Sequence, residues 1–229
     1  MRSVELMVPC PWFEEACFLL NEHPELDVGI HLTLTSEWES IKWRPLTQAP
    51  SIVDDAGFFF PMIHSNEHYP ESKALKHQNW QLDEIEGEYR AQIELGLQRV
   101  SHASHLSCHM GCSRWDDAVR EVFEGLAKEY NLDIDPQKKG VERFAGYGAA
   151  ETYADREPVF IESLMELEPG TYLFVDHPAF DTDEMRSVFH YGYEDVAQDR
   201  DACTRVFSSD QVMNAIREQG IELISYRDL

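Results

Sequence analysis

Three histidines stand where short apolar runs give out, the place from which a rigid backbone can present a side chain to a ligand. His31 lies in Gly29-Ile30-His31-Leu32-Thr33-Leu34-Thr35. Its β-type alternation sets His31 on the face opposite Ile30 and Leu32, and Gly29 permits close backbone approach. His109 closes the run His105-Leu106-Ser107-Cys108-His109, in which residues 105, 107 and 109 share one strand face. Imidazole is the commonest metal ligand near neutral pH, so inward histidines from neighbouring strands suit a divalent cation. Hydrogen-bonded structural histidines are the alternative, and the residues alone leave both open. His177 follows the apolar run Tyr172-Leu173-Phe174-Val175 and precedes Pro178, a position that suits a general acid or an oxyanion stabiliser, or a ring that satisfies turn amides. Cys108 and Cys112, with His105 or His109, would suit structural zinc. The chain offers no second closely spaced pair, so buried thiols are the simpler account.

The elements that must position these residues alternate. Val4 to Val8 reads as a strand ended by Pro9 and Pro11, Trp12 to Leu20 as a helix, and Leu26 to Leu34 as a second strand. Residues 36–80 are aromatic and irregular, a loop long enough to be a lid or a substrate wall. Leu82, Ile85, Tyr89, Ile93, Leu97 and Val100 then define a long amphipathic helix, and Asp116 to Tyr130 another. The stretch from Asn131 to Glu157 is polar and carries little pattern. Pro158 suits a first helical position, with a helix to Leu167, and Thr171 to Val175 a strand. Ser208 or Ser209 caps a helix ended by Gly220, and Ile221 to Tyr226 reads as a last strand. This order predicts an α/β fold with a mainly parallel sheet, open or rolled into a barrel, in one domain over residues 1–229.

Bulk properties narrow the partners. Against 19 Lys and Arg stand 43 Asp and Glu, a formal net charge of -24, so nucleic acid and anionic membrane surfaces are repelled. Five cysteines, an odd number, in a chain that needs no disulfide staples suit a reducing compartment. No run approaches the roughly 18 to 20 apolar residues of a membrane span, and the expected location is cytoplasmic.

Taken together, Met7-Val8-Pro9, the Gly29 to Thr35 run, His105 to His109, His177-Pro178-Ala179-Phe180 and the terminal Ser225-Tyr226-Arg227-Asp228-Leu229 resemble the YdjC-like carbohydrate deacetylases in order and spacing. The resemblance implies an irregular (β/α) barrel that binds one divalent metal, Zn, Mg, Mn or Co, through an aspartate and two histidines. It also implies hydrolysis of N-acetylated amino sugars or chito-oligosaccharides. The metal histidines correspond to His31 and His109, and the late active-site histidine to His177. Trp38, Trp43 and Phe180 are then the aromatics to stack on sugar rings, or else local core.

The chain departs from that pattern in places. The family opens with an Asp-Asp-x-Gly strand that supplies its metal aspartate and candidate base, and this sequence starts after it. The implied barrel therefore lacks its first strand and helix: either the start codon is set too far downstream, the gene is truncated, or another carboxylate such as Asp176 substitutes. Ser107 stands where the family's His-x-Asp-Ser-His pattern has an aspartate, which implies weaker metal affinity. The family's basic residue on the following strand is absent near Asp133-Ile134-Asp135. Two other readings follow: a truncated or inactive sugar-binding relic, and another metal-dependent hydrolase such as a phosphoesterase, against which the acidic charge argues. An open edge left by a missing strand could be covered by a second copy, giving a homodimer.

Overall fold

The computed structural model describes residues 1–229. The chain divides into two compact units, one of residues 2–134 with 225–229 and one of residues 135–224 with Met1.

In the first unit β1 (Ser3–Leu6), β2 (Asp27–Leu32) and β3 (Ala103–Cys108) form a parallel sheet in that order. The connections contain α1 (Phe13–Glu22) between β1 and β2, and α2 (Leu82–Arg99) between β2 and β3. α3 (Asp117–Glu129) follows β3, and its first turn is closed by the Asp116 carboxylate, which accepts from the amides of Ala118 and Val119. The register explains how the sheet acquires two unlike faces. Ile30 sits between Leu6 and Leu106, whereas Gly29 sits between Glu5 and His105, and His31 lies beside Ser107. Because successive side chains point to opposite sides, one face is apolar and the other carries Glu5, His31, His105 and Ser107. The apolar face packs on α2: a Cβ at Gly96 would lie 2.9 Å from Ile30 Cδ1, so the helix can come this close only with glycine there.

Residues 36–80 are built from three short 3-10 turns and isolated bridges, yet they bury Trp38, Trp43, Ile52, Phe59, Phe60, Ile63 and Tyr69. Polar groups on α2 fasten them. Glu88, fully buried, accepts from the amides of Leu46 (3.1 Å) and Thr47 (3.0 Å), from the Thr47 hydroxyl (2.7 Å) and from Gln92 Nε2 (2.7 Å). Gln92 in turn accepts from the Thr33 amide and donates to the Thr33 carbonyl. The segment expected as a lid or a substrate wall is a packed layer fastened to α2.

The second unit pairs β4 (Glu142–Arg143) with β5 (Tyr172–Leu173) in parallel and adds α4 (Arg156–Met165), α5 (Val196–Phe207) and α6 (Asp210–Glu218). Its core gathers Tyr147, Phe160, Leu164, Val206, Val212, Ala215 and Ile216, with Phe174 stacked edge-on among Tyr147 and Phe207. Ser209 caps α6 through the amides of Gln211 and Val212, and Gly220 follows with φ 66°, as the sequence predicts.

Some expectations change. The strands make two parallel sheets, of three and of two strands, and neither closes on itself as a barrel. Residues 221–225 are not a strand; the chain enters a 3-10 turn at Tyr226–Asp228 closed by a Ser225–Asp228 capping box, and an apolar run without a partner strand has no ladder to join. α4 begins two residues before Pro158. α5 was not foreseen, because its buried face is made partly of small residues, Ala197, Ala202 and Cys203, between acidic ones. No helix is long and apolar enough to cross a membrane.

Removing the Glu88 carboxylate takes the acceptor from three donors on the excursion, the amides of Leu46 and Thr47 and the Thr47 hydroxyl, and empties a fully buried position on α2. Glu88→Ala is expected to lower the unfolding free energy by about 3–5 kcal/mol, and Glu88→Gln, which keeps an acceptor, by less. Urea denaturation at neutral pH measures both, and a loss under about 1 kcal/mol for the alanine variant contradicts the fastening role.

Candidate functional site

The polar face of the sheet is assembled row by row. Glu5 and His105 flank Gly29 across three strands, and a side chain on Gly29 would collide with both the Glu5 carboxylate and His105 Nε2. With no side chain between them, Glu5 Oε1 and His105 Nε2 meet at 2.8 Å. The other Glu5 oxygen accepts the Ser107 hydroxyl, and Ser107 Oγ lies 2.6 Å from His31 Nδ1. His105 is fully buried. Its Nδ1 pairs with the Ser104 hydroxyl at 2.9 Å, and its ring stacks on Tyr226 with centroids 3.8 Å apart and planes 3° from parallel. The terminal turn holds Tyr226 there: the Tyr226 amide donates to Ser3 Oγ, and Arg227 pairs with the buried Asp27 carboxylate through its backbone amide (3.0 Å) and Nη2 (3.1 Å).

His109 lies just beyond β3, as the first residue of a 3-10 turn in which Met110 takes φ 49°. That turn aims its ring at His31, with centroids 5.6 Å apart and planes 70° apart. His109 Nε2 pairs with Glu37 Oε2 at 3.0 Å, and Glu37 is itself buried. The expected convergence of His31 and His109 is therefore present, His31 from within β2 and His109 from the exit of β3.

Burial would by itself raise the Glu5 carboxyl. The His105 hydrogen bond and charge, the Ser107 hydroxyl and the charge of His31 outweigh it and hold the carboxyl below its ordinary 4.5. On the opposite strand face, Cys108 is lowered to about 6, against the cost of burial, chiefly by the neighbouring Cys112 thiol, with the Ser113 hydroxyl donating at 2.9 Å. All five cysteines are free.

In donor type the two imidazoles fit a borderline divalent metal. No three His, Cys, Asp or Glu side chains form a cluster that could hold an ion, so the donor set stops at two, and the Cys108 and Cys112 zinc reading has no support. His177 belongs to the second unit, where its side chain is 64% exposed and its backbone amide donates to Asp176 Oδ1 at 2.7 Å. Asp176 also accepts the Tyr147 hydroxyl, so its carboxylate is engaged within its own unit. Trp38 and Trp43 are 9% and 6% exposed, and Trp43 Nε1 donates to the Thr35 carbonyl; both rings are packed rather than offered to solvent. Phe180 is 72% exposed. Two carboxylates, Glu5 and Glu37, escaped the sequence reading. For Glu5 the signal was present: it alternates with Val4 and Leu6 on the face that parallel pairing turns toward Gly29 and His31.

The family model described as YdjC-like protein matches residues 1–218. The chain belongs to the YdjC-like family. Among curated relatives, a protein of Thermus thermophilus named carbohydrate deacetylase is 31% identical over 183 residues, which cover 71% of this chain and 65% of that one. A carbohydrate deacetylase of Listeria monocytogenes serotype 4b is 28% identical over 238 residues, covering 100% of this chain and 89% of the relative. A solved structure from Enterococcus faecalis, described as a cellobiose-phosphate cleavage protein, superposes with a TM-score of 0.70 at 22% identity, over 100% of this chain and 87% of that one. At that identity it establishes the fold alone.

Gly29→Ala is expected to cost about 2–3 kcal/mol, since the new methyl group must part Glu5 from His105; chemical denaturation reads it. The linkage of Glu5 has a definite sign. Its carboxyl is lower in the folded state, so its contribution is complete above about pH 4.5 and is lost as pH falls through the folded value. Glu5→Gln should therefore show a shallower loss of stability on acidification below pH 5 than the parent chain, and an equally steep acid limb contradicts the assignment.

Proposed function

We propose that this YdjC-like protein is a metal-dependent hydrolase that removes acetyl groups from N-acetylated amino sugars or oligosaccharides. The observation that carries the reading is the edge-on approach of His31, within β2, and His109, just past β3, in a chain whose relatives bear the name carbohydrate deacetylase. His31 and His109 would hold a divalent ion, which when bound polarises an amide carbonyl and makes hydroxide available near neutral pH.

The chain's own residues then have distinct tasks. Ser107 holds the His31 ring through Nδ1, and Glu37 holds His109 through Nε2. Glu37 is also the carboxylate suited to accept a proton from water, because Glu5 already serves His105 and Ser107. A neutral acetylated sugar meets no penalty from the chain's charge of -24, unlike a phosphate ester.

A second reading, sugar binding without turnover, is favoured by one observation, the donor set that ends at two imidazoles. The test is release of acetate from N-acetylated chito-oligosaccharides with added Zn, Co, Mn or Mg, alongside metal content per chain. Turnover should fall by about 1,000-fold in His31→Ala and His109→Ala, matching several kcal/mol of charge stabilisation, and bound metal should fall from about one per chain in the double variant. Binding of the sugar with no acetate released under any of the four metals establishes the second reading instead.

A further inference from the structure

We propose that Glu5, acting through the Ser107 hydroxyl, fixes the tautomer and orientation of His31 and is a positioning residue for the activity proposed above. The inference rests on that reading only for its effect on turnover; the hydrogen-bond relay stands on geometry alone.

The direction of each proton follows from counting. An ionised carboxylate offers no proton and can only accept. Glu5 Oε1 therefore accepts from His105 Nε2–H at 2.8 Å, and Glu5 Oε2 accepts from the Ser107 hydroxyl. A serine hydroxyl has a single proton, and once it is given to Glu5 the oxygen has only lone pairs left for His31 Nδ1 at 2.6 Å. His31 must then carry its proton on Nδ1, which puts its lone pair on Nε2, the form of imidazole that can ligate. Glu5 does not make this contact directly: its carboxylate is 3.8 Å from His31 Nδ1, beyond hydrogen-bond range. Ser107 bridges that gap.

The far end of the relay is anchored. His105 has no exposure, is pinned at Nδ1 by Ser104, and is stacked on Tyr226, so the Glu5 carboxylate is held in place from the side away from His31. The glycine between Glu5 and His105 makes the anchor possible. The serine that weakens the resemblance to the family is, on this geometry, one half of a two-residue device whose carboxylate comes from β1.

The experiment is 15N-resolved NMR of the imidazole rings in the metal-free chain, with turnover of an N-acetylated chito-oligosaccharide measured in parallel. In the parent chain His31 should be the Nδ1–H tautomer. In Glu5→Gln the new amide can donate to Ser107, which turns the hydroxyl proton toward His31, so the Nε2–H form should appear. Ser107→Ala should give a mixture and Ser107→Thr should keep the parent tautomer. The double variant Glu5→Gln, Ser107→Asp returns a carboxylate to His31 and should restore Nδ1–H. Turnover should fall about 10- to 100-fold in Glu5→Gln and Ser107→Ala, in kcat with KM changed less than about threefold, and should recover in the double variant. An unchanged His31 tautomer in cooperatively folded Glu5→Gln and Ser107→Ala overturns the relay, whatever the turnover. Should Glu5→Gln fail to fold, the Ser107→Ala and Ser107→Thr pair decides in its place. A tautomer that switches as described in a chain with no deacetylase activity supports the relay and removes the functional reading.

Discussion

A parallel three-stranded sheet with one apolar face can tolerate charge on its other face only if each charge finds partners there, because the desolvation cost of an unpaired carboxylate exceeds what the fold can absorb. In this chain the requirement is met at the centre of β2, where Gly29 leaves room for Glu5 of β1 and His105 of β3 to meet across it. Everything polar on that face is organised outward from this contact. One carboxylate oxygen is spent on His105 and the other on Ser107, and Ser107 in turn holds His31. The terminal turn seals the arrangement by stacking Tyr226 on His105 and pairing Arg227 with Asp27.

This constraint explains why the site and the core are inseparable in the first unit. The same alternation that turns Ile30 and Leu32 toward the apolar face turns Gly29 and His31 the other way. A slip of register by one residue would bury His31 and expose Ile30, so the packing of α2 against Ile30 also sets the direction of the imidazole. His109, past the end of β3, owes its aim instead to the 3-10 turn and to Glu37.

Period-2 and period-3.6 patterns made β2, β3 and α1 to α3 legible in the sequence, and with them the face of β2 that carries His31 and the face of β3 that His105 shares with Ser107. Strand order and register are long-range facts that no local pattern carries, and the Glu5 contact therefore stayed hidden although every residue in it was visible. Glu37 was hidden for a different reason: it lies in the irregular segment after β2, where no period indicates direction. In the second unit the short strands and the acidic, small-residue face of α5 gave weak signals, so the expected strand at residues 171–175 shrank to Tyr172–Leu173 and α5 went unforeseen. The apolar run at residues 221–225 read as a strand for lack of any sign that a pairing edge was missing.

The way residues 36–80 are held has a bearing on how the protein can move. Leu46 and Thr47 share a single buried acceptor with Gln92, and Gln92 grips the backbone at Thr33. Peeling the excursion from α2 would leave a bare charge among apolar side chains, so this layer cannot flutter independently on the way to substrate; it separates from the helix only in openings large enough to hydrate Glu88 itself. The amides of Leu46 and Thr47 should thus exchange with solvent as slowly as those of the sheet, a rigidity unusual for a stretch with so little regular structure.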